Sequence, residues 1–443
     1  MIALVTGSGL TAGRSLRQGL SQGFRGDLED MSMRSRKRGY LALASVLVSL
    51  LLGGLCSTTH AQVSTKITVD GTLGTTVTRS GTTTFNIDGG TIKGTNLFQS
   101  FGQFSVGTND IASFNGPPGI QNILSRVTGG TRSDIDGTLR STISGANLFL
   151  MNPSGILFGP NAQLSVSGSF HATTADYIGL TDGTRFNSVP SSADNLLSTF
   201  PPAAFGFLTS NPAPIDVQTG VFDFSRATQP TRYKNILQVP VGQTLSFVGG
   251  TVNVGAAGSP PSGFVFAPAG RVNLVSVASP GEASFNNDRS INVGGFAQLG
   301  EINIKGNSFI DAKNIFIRSG QLTIEDATVF PGLLFLIQAS SLAPDGGGVD
   351  IGASGEVKIT ASGGFAQNTP GIQVFAGSPR GIVTGDVPFV RIDANSVSLS
   401  GPQAQITSAR LGPQRLNSPE IKINTQALSV NDGASINLLN FFH

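Results

Sequence analysis

The feature that most constrains the fold is a repeated pair of short strands in the C-terminal half of the chain. Each pair consists of two three-residue segments with an apolar–polar–apolar pattern, and their first positions are seven or eight residues apart. One pair cannot bury its apolar side alone, so repeated pairs predict a stacked solenoid. The paired segments are 315–317 with 322–324, 349–351 with 357–359, 390–392 with 397–399, and 421–423 with 428–430.

The spacing of these pairs, and the shorter runs before them, favour one β architecture over others. The pairs begin at residues 315, 349, 390 and 421, and such uneven spacing fits loops inserted at corners. Alternating runs without sustained helical periodicity also follow residue 62. A β-sandwich or barrel has short strands too, but it does not predict a repeated strand pair. We therefore predict an all-β chain that forms a parallel β-helix.

The composition excludes several other classes of protein. Only 12% of residues are charged, tryptophan is absent and glycine is abundant, which argues against a helical fold. A hydrophobic content of 39% with a small net charge argues against disorder. Residues 62–443 contain 21 basic and 23 acidic residues, so no basic excess predicts binding to nucleic acid.

The N-terminal region has the pattern of a secretory signal peptide at residues 34–61. A basic cluster at 34–38 precedes an apolar run at 41–55, and small residues lead to a cleavage site between Ala61 and Gln62. A membrane-spanning helix is the alternative, but the run is shorter than the ~20 residues that a span needs. Residues 1–33 do not fit a signal peptide, so we expect a non-native extension or a mis-assigned start.

The most specific motif lies between residues 95 and 187. An Asn-Pro-Ser-Gly turn, Asn152, Pro153, Ser154 and Gly155, is flanked by apolar residues on both sides. Because proline fixes φ and glycine can supply a positive φ, this motif predicts a strand–turn–strand corner. With the runs at 96–106, 123–130 and 168–176, the segment resembles the haemagglutination-activity, or two-partner-secretion, domain of filamentous haemagglutinins of the long cyanobacterial type.

The resemblance implies both a fold and an export route. It implies a right-handed β-helix with an N-terminal cap, which passes unfolded through a partner outer-membrane transporter whose periplasmic POTRA modules recognise it. Residues 152–155 match a family hallmark and are the expected secretion motif, although the same turn could serve only the fold. We expect the secretion domain at 62–310 and further β-helix repeats at 311–443, which we expect to be truncated.

The resemblance also implies a function at the cell surface. The expected product is an adhesin-like protein, secreted or attached to the outer membrane of a Gram-negative-type bacterium. Its β-helical body would bind a carbohydrate or another cell-surface ligand, and a purely structural envelope protein is an alternative.

A β-helical enzyme acting on glycans, a lyase or hydrolase, is the other alternative. Such enzymes gather carboxylates on one face of neighbouring coils. The best carboxylate pair here is Asp134 and Asp136, and its flanks are typical of a turn. Of the three histidines, His60 lies in the predicted signal peptide and His443 is the last residue, so His171 has no second histidine to act with. The only cysteine, Cys56, also lies in the predicted signal peptide. We therefore predict no catalytic residue, no cofactor and no metal site.

The cleavage site gives a first testable prediction. The secreted protein should begin at Gln62, because Ala61 completes the small-residue pattern that signal peptidase reads. N-terminal sequencing of the protein from culture medium checks this. Replacing Ala61 with Arg should leave an uncut precursor, whereas a mature protein that starts elsewhere would contradict the assignment.

Overall fold

The computed structural model describes residues 63–222, 233–256, 262–330, 347–362, 370–377, 389–411 and 419–441. The predicted signal peptide and its cleavage site at Ala61 and Gln62 lie outside these residues. The described residues are almost entirely β-strand, with one short 3₁₀ helix at Ser192–Leu196. Among them, no helix has the length and apolar character that crossing a membrane requires.

A cap of antiparallel strands begins the described fold. Its strands are β1 (Lys66–Val69), β2 (Thr75–Ser80), β3 (Thr84–Gly89) and β4 (Thr91–Lys93), and the first coil strand is β5 (Asn96–Ser105). Strands β1 and β4 both pair antiparallel with β5, and β2 pairs antiparallel with β3. The cap that the family resemblance implies is therefore present as antiparallel pairing ahead of the parallel coils.

After the cap, the chain winds in coils whose strands stack in parallel on three faces. The first face contains β5, β7 (Asn122–Val127), β10 (Asn147–Met151), β13 (Phe170–Thr173) and β21 (Thr244–Gly249). It continues with parts of five longer strands: residues 271–276 of β23 (Phe264–Ser276), 314–319 of β27 (Phe309–Ser319), 348–353 of β30 (Gly348–Thr360), 389–394 of β32 (Phe389–Ser400) and 420–425 of β34 (Glu420–Asn431).

The second face follows the first around a corner in each coil. It contains β8 (Ser133–Ile135), β11 (Ile156–Phe158), β17 (Ile215–Val217), β22 (Val252–Val254), β26 (Glu301–Lys305), β28 (Gln321–Glu325) and the second parts of β30, β32 and β34. All of these neighbours are parallel, so each coil repeats the path of the coil before it.

The third face closes each coil and consists of two stretches. The first stretch contains β6 (Ile111–Phe114), β9 (Thr138–Ser141) and β12 (Gln163–Ser165). The second contains β20 (Leu237–Gln238), the first parts of β23 and β27, β29 (Thr328–Phe330), β31 (Gly371–Gly377), β33 (Gln405–Leu411) and β35 (Ser435–Phe441).

Two insertions leave the coils and form an outer sheet against the first face. This antiparallel sheet contains β14 (Tyr177–Leu180), β15 (Arg185–Asn187), β16 (Pro202–Phe207), β24 (Gly281–Phe285) and β25 (Ile291–Asn292), and a separate hairpin contains β18 (Val221–Phe222) and β19 (Tyr233–Lys234). A second apolar cluster fills the space below the outer sheet, where Phe149 and Phe205 are buried. The insertions thus cover part of the outward side of the first face.

The repeated strand pairs stack in the register that the sequence indicates. Ile315, Val349 and Val390 are partners in successive coils, and the second members of the pairs, starting with Leu322 and Val357, are partners as well. All five side chains are buried in the central core. The prediction of a parallel β-helix is confirmed, and parallel pairing between coils contradicts the β-sandwich.

A buried ladder of asparagines reinforces the register on the first face. The Nδ2 atom of Asn122 donates to Oδ1 of Asn96 at 3.0 Å, and Nδ2 of Asn147 donates to Oδ1 of Asn122 at 3.1 Å. The ladder ends at the backbone, where Asn96 donates to the carbonyl of Phe200 and Asn147 accepts from the amide of Ser169. A slip of one residue would break these bonds as well as expose the apolar face.

Candidate functional site

The Asn-Pro-Ser-Gly segment forms the corner between β10 and β11, where the chain passes from the first face to the second. Asn152 is fully buried, whereas Pro153 and Ser154 are half-buried at the tip. Gly155 has a φ of +104°, a conformation that residues with a side chain rarely adopt. Its amide donates to the carbonyl of Asn152 at 3.1 Å and closes the turn.

The side chain of Asn152 joins this corner to the preceding coil. Its Nδ2 atom donates to the carbonyl of Thr131 and to Oγ of Ser133, both at 2.9 Å, and its Oδ1 atom accepts from the amide of Ser154 at 2.9 Å. The amide of Asn152 donates to the carbonyl of Thr173 in the following coil at 3.0 Å. The segment is therefore the strand–turn–strand corner that its sequence indicates, and both polar side-chain atoms of Asn152 form hydrogen bonds within the fold.

A buried ion pair that the sequence did not predict joins the cap, the first face and the segment after β15. Arg126 is fully buried, and its two Nη atoms contact both carboxylate oxygens of Asp194 at 2.7 and 2.8 Å. Its Nε atom donates to Oγ of Ser100, and its Nη atoms also donate to Oγ1 of Thr72 and the carbonyl of Asn187. All guanidinium nitrogens thus have partners, as burial of a charge requires.

Asp70 extends this network into the cap. Its carboxylate accepts hydrogen bonds from Oγ of Ser100 at 2.5 Å and from the amide of Thr72 at 2.9 Å. Burial acts to raise the pKa of Asp70, but the hydrogen bonds from Ser100, Thr72 and Thr128 outweigh it and lower the pKa. The only sequence signal for this network is Arg126 itself, a charged residue inside the buried strand β7.

Comparison with known families identifies the coiled domain. A model of the TPS secretion domain matches residues 65–329, which is more than half of the chain. The chain belongs to the TPS secretion domain family. The predicted relationship to filamentous haemagglutinins is confirmed, and the chain is an exported, adhesin-like protein with a secretion-directing domain.

Two solved structures are similar to this chain at low sequence identity. The HMW1 secretion domain from Haemophilus influenzae is 16% identical, the alignment covers 85% of this chain and 84% of that one, and the TM-score is 0.37. The filamentous hemagglutinin secretion domain is 15% identical, with coverages of 84% and 99% and a TM-score of 0.31. No curated protein matches the chain.

His171 of the TPS domain lies beneath the outer sheet. Its ring stacks on Phe149, with centroids 4.5 Å apart, and meets the edge of Phe285 at 5.4 Å. Burial, helped by the positive charge of Arg289, lowers the pKa of His171 to about 3. The imidazole is therefore neutral at physiological pH, and its contacts are those of a packing residue.

The carboxylates singled out in the sequence have structural partners. Asp136 accepts hydrogen bonds from the amide and Nδ2 of Asn161, at 2.9 and 3.0 Å, and from Oγ1 of Thr108. Asp134 pairs with Arg132 at 2.7 Å. The turn prediction is wrong for Asp134, which lies in β8, and Asp136 lies in the short connection between β8 and β9. Across the described ranges, no group of three histidine, cysteine or acidic side chains could hold a metal ion.

Asn152→Ala should destabilise the protein by about 1–3 kcal/mol, because it leaves the buried hydroxyl of Ser133 and two partly buried backbone groups, the carbonyl of Thr131 and the amide of Ser154, without their partner. Urea unfolding measures the change. Asn424→Ala, which removes an exposed asparagine bonded to Asp393, is the control and should change the stability by less than about 0.5 kcal/mol. Equal effects of the two substitutions would contradict the role given to Asn152.

His171 should make the stability fall in mild acid. Its folded pKa of about 3 lies below the ordinary value of 6.5, so its contribution is complete above pH 6.5 and declines as the pH falls toward 3. At pH 5 the loss should be about 2 kcal/mol. The measurement is the unfolding free energy at pH 7 and pH 5 for the wild type and for His171→Phe.

The phenylalanine variant keeps the stacking but cannot take up a proton. Its stability should therefore fall less between pH 7 and pH 5 than that of the wild type. An identical fall in both proteins would show that His171 is not the group responsible.

Proposed function

We propose that residues 62–310 direct secretion through a partner outer-membrane transporter whose periplasmic POTRA modules recognise them. We further propose that the β-helical body then acts as an adhesive surface for carbohydrate or cell-surface ligands, on the cell or released from it. The match of residues 65–329 to the TPS secretion domain is the observation that carries the proposal, because proteins of that family are exported by Gram-negative bacteria with a partner transporter.

The stacking of coils supports export of an unfolded chain. Each new strand pairs with the strand one coil earlier, as β34 does with β32, so an emerging coil needs only the coil before it. The chain from residue 62 onward contains no cysteine, so no disulfide can form during passage through an oxidising compartment. Both features suit folding that proceeds from the N-terminus as the chain leaves the cell.

Within the domain, we assign transporter contact to Pro153 and Ser154. The polar atoms of Asn152 are used inside the fold, and Gly155 is buried at a positive φ. The two tip residues remain half-buried and are the part of the motif that a partner can reach. Asn152 and Gly155 then serve recognition by holding the tip in place.

We also propose that the body binds its ligands without catalysis. Two carboxylates on the described surface lie in ion pairs with arginines, Asp134 with Arg132 at 2.7 Å and Asp350 with Arg318 at 2.8 Å. A carboxylate oxygen that already accepts a hydrogen bond from a guanidinium is less available to a substrate.

Secretion assays can separate recognition from folding. The chain is expressed with its transporter, and the protein in the medium is compared for the wild type, Asn152→Ala and the double variant Pro153→Ala with Ser154→Ala. The double variant should keep the wild-type melting temperature and be secreted at least tenfold less, whereas Asn152→Ala should lower both. The exposed turn at Pro117 and Pro118, changed to alanines, is the control.

Two outcomes would contradict the proposal at different levels. Normal secretion of the double variant would remove Pro153 and Ser154 from recognition. Secretion of the wild type in cells that lack the transporter would overturn the export route itself.

A further inference from the structure

A groove of about 430 Å³ lies on the outward side of the first face, beside the end of the outer sheet. On one side it is lined by residues 286 and 288 and by the segment 290–294, which includes β25. The other side consists of Arg271 of β23 and of residues of β27, β30 and β32. Because the outer sheet covers the earlier coils, a concave step forms where the covering ends.

The alternation along the strands explains why this groove is polar. Phe316, Asp350 and Arg391 are register partners in successive coils. Their neighbours Ile315 and Ile317 point to the opposite side and are buried in the central core. The same register that packs the core therefore places one row of polar and aromatic residues along the groove.

Among the described residues that line the groove there are three arginines and two aspartates, which leaves one positive charge in excess. Arg318 lies 2.8 Å from Asp350, and Arg271 lies 3.1 Å from Asp288. The third arginine, Arg391, is 3.7 Å from Asp350, which is too far for a hydrogen bond. Its side chain is 46% exposed, so its donors face the groove and the solvent.

Aromatic rings hold the arginines in place. The guanidinium carbon of Arg318 lies 3.8 Å from the ring centre of Phe316, and that of Arg391 lies 5.5 Å from the ring centre of Phe389. A guanidinium over a ring keeps its edge available, and that edge can bind a carboxylate or sulfate through two parallel hydrogen bonds.

We propose that this groove binds an acidic oligosaccharide, with a carboxylate or sulfate group of the sugar on Arg391. This inference rests on the proposed adhesive function and names its site and ligand class. The carboxylates of Asp288 and Asp350 can accept hydrogen bonds from sugar hydroxyls, and the side-chain amides of Asn292 and Asn314 can donate to them. Nucleic acid fits less well, because Arg318 and Arg391 lie over the rings of Phe316 and Phe389, and these rings are then not free to stack on bases.

The test measures binding of four-sugar probes to the purified mature protein at physiological salt. A sulfated uronic-acid tetrasaccharide and tetragalacturonate distinguish sulfate from carboxylate, and maltotetraose is the neutral probe. We expect at least one acidic probe to bind and the neutral one not to bind. Arg391→Gln should weaken that binding at least tenfold, and Arg391→Lys should weaken it less.

Arg132→Gln is the matched control, because the side chain of Arg132 is also 46% exposed and pairs with an aspartate. It should leave binding unchanged, and the thermal unfolding of all variants should match the wild type. Three results would overturn the proposal: no acidic probe binds, Arg132→Gln weakens binding as much as Arg391→Gln, or single-stranded DNA of equal charge binds equally well.

Adhesion to a glycan-coated surface separates this inference from the proposed function. Wild-type protein that adheres only to neutral glycans, or that adheres equally after Arg391→Gln, would overturn the groove assignment and leave the adhesive function standing. Protein that adheres to no glycan or cell surface would overturn both.

Discussion

In-register hydrogen bonding between parallel strands of successive coils is the interaction on which the rest of this structure depends. Every coil places its apolar residues inside only if it repeats the alternation of the coil before it, because a slip of one residue would turn the whole set outward. Stacked aliphatic side chains and the buried asparagine ladder that begins at Asn96 both oppose such a slip. Loops of different length can then leave the corners without disturbing the core.

The functional surfaces follow from what happens at those corners. At one of them, Asn152 ties the turn to the coil on each side and leaves Pro153 and Ser154 at the tip. At others, insertions leave the coils and form the outer sheet. Asp194 ties the segment after β15 to Arg126 of the first face, and Arg126 also donates to Thr72 of the cap. The cap and the outer sheet are thus part of the same folded unit as the first coils.

The sequence predicts the fold well because a period of two is a local signal. The strand pairs from residue 315 onward carry it, and their register is the one observed. The sequence does not indicate which strand closes each coil, because the strand pairs begin at uneven intervals, at residues 315, 349, 390 and 421. The ion pair of Arg126 could not be predicted either, because Asp194 lies 68 residues away and only the tertiary structure brings the two together. The sequence predicts a turn at Asp134 because its flanks are polar, whereas its register with Leu157 places it in a strand.

Distances between spin labels along one column of the second face test the stacking most directly. Asn303, Thr323, Lys358, Ser398 and Ser429 are partners in consecutive strands, and residues 62–443 contain no native cysteine to interfere. Labels on cysteines introduced at the first and last of these positions are separated by four strand spacings, so a narrow distribution centred at about 19 Å is expected. A broad distribution, or one centred beyond about 30 Å, would contradict the parallel coil stack.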